Sequence, residues 1–196
     1  MRVKAVAPVL ALLFSLAACT PTPEGVNIHD PYESTNRGYH MFNKGLDAKV
    51  ISPLATGYTT VVPEPVTQGV SNFASNLALP GQVINNTLQA DLIGAGQNTL
   101  RLLVNSTVGV LGLLDPASLM GLHEKPTDFG QTLAVWGVGE GAYLELPVLG
   151  PTNERDAVGT IVDMVLSPTS ALEGDAAVIA TVADAGAGLK TREDLR

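Results

Sequence analysis

Few side chains in this sequence could carry out catalysis. The 196 residues include one cysteine and three histidines. His123-Glu124 has the beginning of a zinc-protease motif, in which a second histidine stands four residues after the first on one face of a helix. Thr127 occupies that position, and Pro126 would interrupt the helix. The sequence therefore predicts no metal site and no bound cofactor.

Other catalytic motifs are missing from the sequence as well. The chain has no Gly-x-Ser-x-Gly string, which marks the nucleophile of the common hydrolase fold. The glycines at Gly137, Gly139 and Gly141 are not followed by a lysine, and Glu140 among them would repel phosphate. Any two of the scattered carboxylates could meet as an acid and a base, but several stand beside cap or turn signals. We expect that the protein is not an enzyme.

The N-terminus has the features of a bacterial export signal. A basic start precedes an apolar run over residues 5–17, which is too short to span a bilayer. The run ends in Leu16-Ala17-Ala18-Cys19, where small residues before a cysteine match a lipobox. A secreted chain with one cysteine has three options, an intermolecular disulfide, a free thiol or acylation, and the lipobox favours acylation. Residues 1–18 are therefore predicted to be a signal peptide, with lipid attached at Cys19.

The mature chain is predicted to be acidic and held at a membrane. Loss of residues 1–18 removes two of the 11 basic residues, so the net charge of −8 becomes −10. This charge disfavours nucleic acid and anionic headgroups as partners, and leaves attachment to the lipid and to apolar surface. Thr20 stands where an aspartate would signal retention in the inner membrane, which points to the outer membrane. Within the tether of residues 19–29, the linker 20–28 reaches only ~30 Å when extended, so the domain is expected at the bilayer.

Apolar residues recur at helical spacing in three segments after the tether. Asp30 is a candidate cap of the first helix, with a proline and a glutamate in the first turn. The second helix opens at Pro63-Glu64-Pro65 and is expected to end at Pro80-Gly81. The third helix is expected to have two chemically different faces. One face carries Ile84, Leu88, Leu92, Ala95, Thr99 and Leu102, and the other carries Asn85, Gln89, Asn98 and Arg101.

The segment Val108–Leu122 is strongly apolar and rich in glycine, and it is too short to span a membrane. Asp115-Pro116 in its middle predicts a turn between two short apolar arms, with Asp115 capping the second arm. This hairpin is the best candidate for a functional surface. Ordinary core packing explains its pattern equally well.

The rest of the chain gives weaker signals. Residues 126–151 are interrupted by glycines and predict a loop with a strand-like piece. A helix that ends before Pro168 is indicated by an apolar stripe, which should be buried, formed by Val158, Ile161, Val162, Val165 and Leu166. From Ala171 onward the composition predicts a marginal helix, whose weak anchors are Val178, Ile179 and Val182. A hydrophobic content of 45% is ample for a packed core.

Several short strings, in order along the chain, resemble the MlaA family of outer-membrane lipoproteins, also called VacJ. The early strings are Asp30-Pro31-x-Glu33-x-x-Asn36-Arg37, Phe42-Asn43 and Gly69-Val70-Ser71-Asn72-Phe73. The later strings are Asn105-Ser106-Thr107-x-Gly109, Gly112-Leu113-x-Asp115, Asp128-Phe129-Gly130-Gln131 and Arg155-Asp156. Each string is weak alone, but the ordered series covers residues 30–163.

The resemblance implies an all-α fold, in which residues 30–166 form a ring-shaped helical domain embedded in the outer membrane around an amphipathic channel. The apolar segment would be the family's flexible hairpin, and its lipid path would be lined by Val108, Val110, Leu111, Leu113, Leu114, Leu119 and Leu122. The Ala/Gly-rich acidic segment 167–196 is shorter than is usual for the family.

The resemblance also implies a function without covalent chemistry. Members of the family remove phospholipid that has strayed into the outer leaflet, pass it to a soluble periplasmic carrier and occur with trimeric porins. The implied protein is a phospholipid transporter, lipid-anchored in the outer membrane and facing the periplasm. One alternative is a structural or assembly lipoprotein that binds porins without moving lipid. A membrane-bound phospholipase is a third, poorer reading.

Overall fold

The computed structural model describes residues 29–195, so the predicted signal peptide and Cys19 lie outside the described residues. Its α-helices are α1 (Glu33–Leu46), α2 (Ser52–Val61), α3 (Glu64–Leu88), α4 (Leu92–Thr107), α5 (Pro116–Leu119), α6 (Phe129–Val135), α7 (Glu154–Leu166) and α8 (Asp175–Asp194). A π-helical turn (Asp47–Ile51) joins α1 to α2, and a 3-10 turn (Pro168–Ala171) precedes α8. Strands β1 (Tyr143–Leu146) and β2 (Gly150–Asn153) form an antiparallel hairpin. The all-α prediction is confirmed in its main feature, and the strand-like piece is β1.

The long helices α3 and α4 pack against each other, and α8 lies against α2 and α3. A second group is formed by α6, which packs on α7 and also touches α3. The β-hairpin lies against α1 on one side and contacts the start of α7 through β2. The two groups therefore meet along α3, the longest helix of the described chain.

The expected end of the second helix at Pro80-Gly81 is wrong, because α3 continues through both residues to Leu88. A proline inside a helix removes one backbone hydrogen bond. Packing of α3 against α4 and α8 offsets this local loss, since tertiary contacts carry most of a helix's stability. The break comes later, at Ala90, whose φ of 60° lies in the left-handed region. Asp91 then caps α4 by accepting the Gly94 N–H at 2.9 Å.

Helix α4 buries its polar face and exposes its apolar face. Asn98, Arg101 and Asn105 are buried, at the spacing i, i+3, i+7 that places them on one side of a helix. On the other side, within an arc of roughly 100° at 3.6 residues per turn, the exposed residues are Leu92, Ile93, Leu100 and Leu103. The contrast is large, since Asn98 is 0% exposed and Ile93 is 80% exposed.

The C-terminal half also exposes its large apolar side chains, and two predictions made for it are therefore wrong. The stripe on α7 is not buried, since Ile161, Val165 and Leu166 are exposed, and the buried residue of this helix is Gly159. The expected anchors on α8 are exposed as well, and the residues that it buries are Ala180, Ala183 and Gly186. Small residues face inward because they let helix backbones approach closely. Bulky apolar side chains are directed outward.

The expected apolar core is therefore replaced by a core of small and polar residues. Among the described residues the buried apolar side chains are Ala55, Ala74, Leu79, Ala95, Ala117, Phe129, Leu133, Ala142, Ala180 and Ala183. The buried polar ones include six asparagine or threonine positions along α3 and α4, namely Thr67, Asn76, Asn85, Asn86, Asn98 and Asn105. Within residues 29–195, no helix combines the length and the apolar character needed to cross a membrane.

Candidate functional site

The polar face of α4 is covered by the extended segment that follows α5. Asn98 donates through Nδ2 to Asn86 Oδ1 and to the Lys125 carbonyl, both at 2.9 Å, and its Oδ1 accepts the Lys125 N–H at 3.0 Å. Gln82 on α3 donates to Glu124 in the same segment at 2.7 Å. Residues 122–128 thus form a hydrogen-bonded strap across α3 and α4, in place of a layer of apolar side chains.

Arg101 is the buried cation of this region, with only 5% of the residue exposed. Its Nη1 donates to Ser118 Oγ at 3.0 Å and to the Leu122 carbonyl, and its Nη2 lies 3.2 Å from Asp115 Oδ2. Asp115 Oδ1 also accepts from Asn105 Nδ2 at 2.9 Å and from the Ser118 N–H at 3.2 Å. The prediction that Asp115 caps the second arm of the hairpin is therefore confirmed.

The environment of Asp115 favours its charged form. Burial raises the pKa of this carboxyl, but the hydrogen bonds from Ser118, Asn105 and Arg101 together lower it by more, so the pKa lies below its ordinary value. Asp115 therefore keeps a negative charge beside Arg101.

A small cavity of about 70 Å³ lies between α3, α4 and the hairpin. All of its lining residues except Leu79 are polar, and they include Arg101, Asp115 and Glu124. Two atoms of lining residues, Asn76 Oδ1 and Arg101 Nε, are buried and have no hydrogen-bond partner within the described chain. Unpaired buried polar atoms are rare in folded proteins, so each one is a candidate partner for a ligand or a water molecule. We refer to this space as the polar cavity.

The hairpin Val108–Leu122 lies at the edge of the polar cavity. Among its seven predicted lipid-path residues, Leu122 is half-buried and the exposed ones are Val108, Val110, Leu111, Leu113, Leu114 and Leu119. Leu119 is 91% exposed. These side chains do not form a core, so ordinary core packing does not explain the segment. Its first arm consists of turns and its second contains the short helix α5.

The backbone of the hairpin packs against residues that line the polar cavity. Val110, Leu111 and Gly112 all have positive φ, with Gly112 at 93°. A Cβ added at Gly112 would lie 2.5 Å from Asn76 Cβ, so only glycine fits there. Asn72, a further lining residue, donates to the Leu113 carbonyl at 3.1 Å. The hairpin thus places its backbone against α3, beside the polar cavity, and its apolar side chains on the outside.

The first family motif lies elsewhere, between α1 and β1. The expected cap is corrected, because α1 begins at Glu33 and Asp30 does not occupy its cap position. Instead, Asp30 accepts from Asn36 Nδ2 at 2.7 Å, and the buried Asn36 also holds the backbone of β1 through the Glu145 N–H at 3.0 Å. Pro31 lies in the preceding turn. On the exposed face of α1, Glu33 and Arg37 form an ion pair at 2.6 Å.

A cleft of about 450 Å³ between α1 and β1 contains the buried carboxylate of Glu145. Glu145 is 3% exposed, and it accepts from Asn43 Nδ2 at 3.0 Å and from the Tyr143 hydroxyl at 2.8 Å. Burial raises the pKa of Glu145, but these two hydrogen bonds and the nearby His40 outweigh it, so the pKa lies below its ordinary value. The hydrogen bond to Glu145 raises the pKa of Tyr143.

Because the pKa of Glu145 is lowered, the stability of the folded protein should depend on pH. Its contribution to stability is fully present above the unfolded value of 4.5 and is lost as the pH falls through the lower folded value. In Glu145→Gln, a neutral amide replaces the acceptor of several donors. We expect the variant to be less stable than the parent at pH 7, with the difference narrowing below about pH 4.5. Urea unfolding midpoints at pH 7, 5, 4 and 3 measure this, and a difference that does not change with pH would contradict it.

The remaining motif residues join α6 to α7. Phe129 is buried, and its N–H donates to Asp163 Oδ2 at 2.8 Å. Gly130 faces α7 so closely that a Cβ there would lie 2.8 Å from Asp156 Oδ1. Arg155 pairs with Asp156 at 2.8 Å. The motif residues thus fall into separate clusters, and Asn72, Asn105 and Asp115 line the polar cavity.

Of the eight residues that line the polar cavity, the sequence predicted two as site residues, Asn105 and Asp115, and it missed Asn76, Arg101 and Glu124 among the others. Arg101 was visible only as part of a polar helix face, although an arginine opposite a row of leucines is a usable signal. Within residues 29–195, no group of three or more histidine, cysteine, aspartate or glutamate side chains is placed to hold a metal ion.

Comparison with known proteins gives consistent matches. A family model described as MlaA lipoprotein matches residues 28–196. The intermembrane phospholipid transport system lipoprotein MlaA of Escherichia coli strain K12 is 33% identical over 167 residues, which are 83% of this chain and 66% of that protein. A protein of Rickettsia conorii is 39% identical over 137 residues, or 70% of this chain and 55% of that protein. The chain thus spans from about half to two thirds of the length of these relatives.

A solved structure is similar as well. It comes from work on the "Structural basis for maintenance of bacterial outer membrane lipid asymmetry", and it matches with a TM-score of 0.72 at 32% identity. The match covers 84% of this chain and 85% of that chain.

Proposed function

Since the chain belongs to the MlaA lipoprotein family, we propose that it moves phospholipid at the outer membrane, taking stray lipid from the outer leaflet and passing it to a periplasmic carrier. The resemblance in the sequence is confirmed by this membership. The relatives are named as lipoproteins of intermembrane phospholipid transport, and the matching structure comes from work on outer-membrane lipid asymmetry.

The observation that supports the proposal is the inverted distribution of polar and apolar residues. A phospholipid has a charged headgroup and apolar chains, and it crosses between two environments only if both parts stay solvated. In this protein a polar cavity and an apolar exposed hairpin adjoin each other through Gly112 and Leu113. The headgroup would stay on the polar side while the acyl chains remain against the leucines and the surrounding lipid.

The same distribution supports attachment to a bilayer. Exposed large apolar side chains occur on α1, α2, α3, α4, α7 and α8 and along the hairpin. Apolar surface of this extent marks interaction with a membrane or a partner. We propose that the domain lies in the inner leaflet of the outer membrane, anchored by lipid on Cys19 and facing the periplasm, with a trimeric porin beside it.

Lipid cross-linking in cells tests the proposal. A photo-reactive amino acid at Leu111 is expected to label phospholipid, whereas the same residue at Glu140, an exposed loop position, should label far less. Asn98 is unsuitable as the comparison position because it is fully buried. Deletion of the gene should raise outer-leaflet phospholipid and lower detergent resistance. Equal labelling at both positions, together with unchanged outer-leaflet lipid, would reject transport, and porin co-purification without lipid would then favour an assembly role.

A further inference from the structure

We propose that the polar cavity binds the headgroup of a phospholipid that carries a primary ammonium group and no net charge, that is, phosphatidylethanolamine, with the ammonium at Glu124 and Asn76 and the phosphate at Arg101. This inference rests on the proposed function and names the lipid class that its site prefers. It starts from three polar groups that the fold leaves without complete partners.

The first two groups are the unpaired atoms. Asn76 is 6% exposed and its Nδ2 donates to Ser106 Oγ at 3.1 Å, which leaves Oδ1 as an unused acceptor. Arg101 uses its Nη1 and Nη2 for protein contacts, which leaves Nε–H as an unused donor. A buried donor or acceptor without a partner destabilises the fold. A ligand that brings both a donor and an acceptor would remove both penalties.

The third group is Glu124, whose negative charge is not balanced. Asp115 is paired with Arg101, but Glu124 has only the neutral amide of Gln82 as a hydrogen-bond donor, and within the described chain it has no ion-pair partner. The polar cavity therefore holds two carboxylates and one guanidinium. This excess of negative charge repels a headgroup with a net negative charge and favours one with an ammonium.

The size of the polar cavity and its position beside the hairpin also fit phosphatidylethanolamine. A water needs roughly 10–15 Å³ of cavity, so about 70 Å³ has room for several water-sized groups, such as an ammonium and part of a phosphate. Leu113 is one of the exposed leucines of the hairpin, and its carbonyl accepts a hydrogen bond from Asn72, which lines the polar cavity. A headgroup in the cavity would thus leave its acyl chains against the hairpin.

The test uses the full lipidated protein with a photo-reactive residue at Leu111, in vesicles of equal parts phosphatidylethanolamine and phosphatidylglycerol. The parent should label phosphatidylethanolamine in excess. Glu124→Gln, which keeps the shape and the Gln82 contact, should reduce this preference by roughly tenfold, the size of one charge-assisted hydrogen bond. Total labelling should stay the same. Glu124→Asp should keep the preference, and His123→Gln, the exposed neighbour, should not change it.

The possible results distinguish a failure of the headgroup assignment from a failure of the proposed function. A parent without preference, or a Glu124→Gln variant that keeps it, would overturn the headgroup assignment while lipid labelling at Leu111 still supports transport. Absence of any lipid label would instead reject the proposed function. Soluble glycerophosphoethanolamine, which has the same ammonium and phosphodiester groups without acyl chains, distinguishes the source of the ligand. Weaker binding than that of the lipid supports a lipid site, and stronger binding would overturn it.

Discussion

The Asp115→Ala variant is expected to lose about 3–5 kcal/mol of its free energy of unfolding, because it leaves the guanidinium of Arg101 buried without a counter-charge. The Arg101 side chain is 6% exposed, so bulk solvent screens its charge poorly once the carboxylate is gone. The change also removes the cap of α5 and the acceptor of the Asn105 amide. The α5 end of the hairpin should therefore detach from α4. Urea unfolding followed by circular dichroism, with the protein in lipid nanodiscs, measures the loss.

Asp128→Ala is the matched control for this loss. Asp128 also caps a helix, since it accepts the Gln131 N–H at 2.7 Å, but it is exposed and no buried cation depends on it. Its loss should cost only about 1 kcal/mol, the usual value of a helix cap. If both variants lost the same amount, Asp115 would be acting as a cap alone, and the buried ion pair would contribute nothing.

Gly159→Ala is expected to destabilise the protein by about 3 kcal/mol or more, at the upper end of the range for overpacking. A Cβ at Gly159 would lie 2.6 Å from Gly130 Cα and 3.1 Å from the Phe129 carbonyl carbon. Both neighbours are backbone atoms, so no side-chain rotation relieves the clash, and α6 must move away from α7. Near-ultraviolet circular dichroism should change, since Phe129 packs edge-on against Trp136 with ring centroids 5.8 Å apart.

A second glycine-to-alanine change separates this clash from the general effect of alanine in a helix. Gly96 lies inside α4, and a Cβ there would meet nothing within 4 Å. Gly96→Ala should raise the free energy of unfolding by about 0.5–1 kcal/mol, because alanine is the better helix former. Stabilisation by Gly159→Ala as well would show that α6 and α7 do not touch as described.

The features that the sequence predicted correctly depend on local chemistry. Asp115 followed by proline caps α5, and the stripe that ends before Pro168 corresponds to α7, which ends at Leu166. Caps and helix ends depend on neighbours within one turn, so a single sequence carries this information. The continuation of α3 through Pro80 was missed because packing along the whole helix decided it.

The side on which each helix is buried could not be predicted from the pattern. Leucines on one face and asparagines on the other give the same periodicity whether the protein is surrounded by water or by lipid. Asn98 and Leu100 illustrate this, because only the structure shows which of them faces inward. The polar cavity was also out of reach, since Asn76, Arg101 and Glu124 come from three segments brought together by the fold.

The composition of the interior determines at which stage of assembly this protein becomes stable. Seven of the ten buried apolar residues in the described chain are alanines, and each alanine brings a single methyl group out of water. The larger apolar side chains gain free energy only when lipid or a partner covers them. Folding and membrane insertion, if the domain lies in the bilayer as proposed, are then one coupled thermodynamic step. Between the two membranes, we expect such a chain to travel only while bound to a carrier that shields its leucines from water.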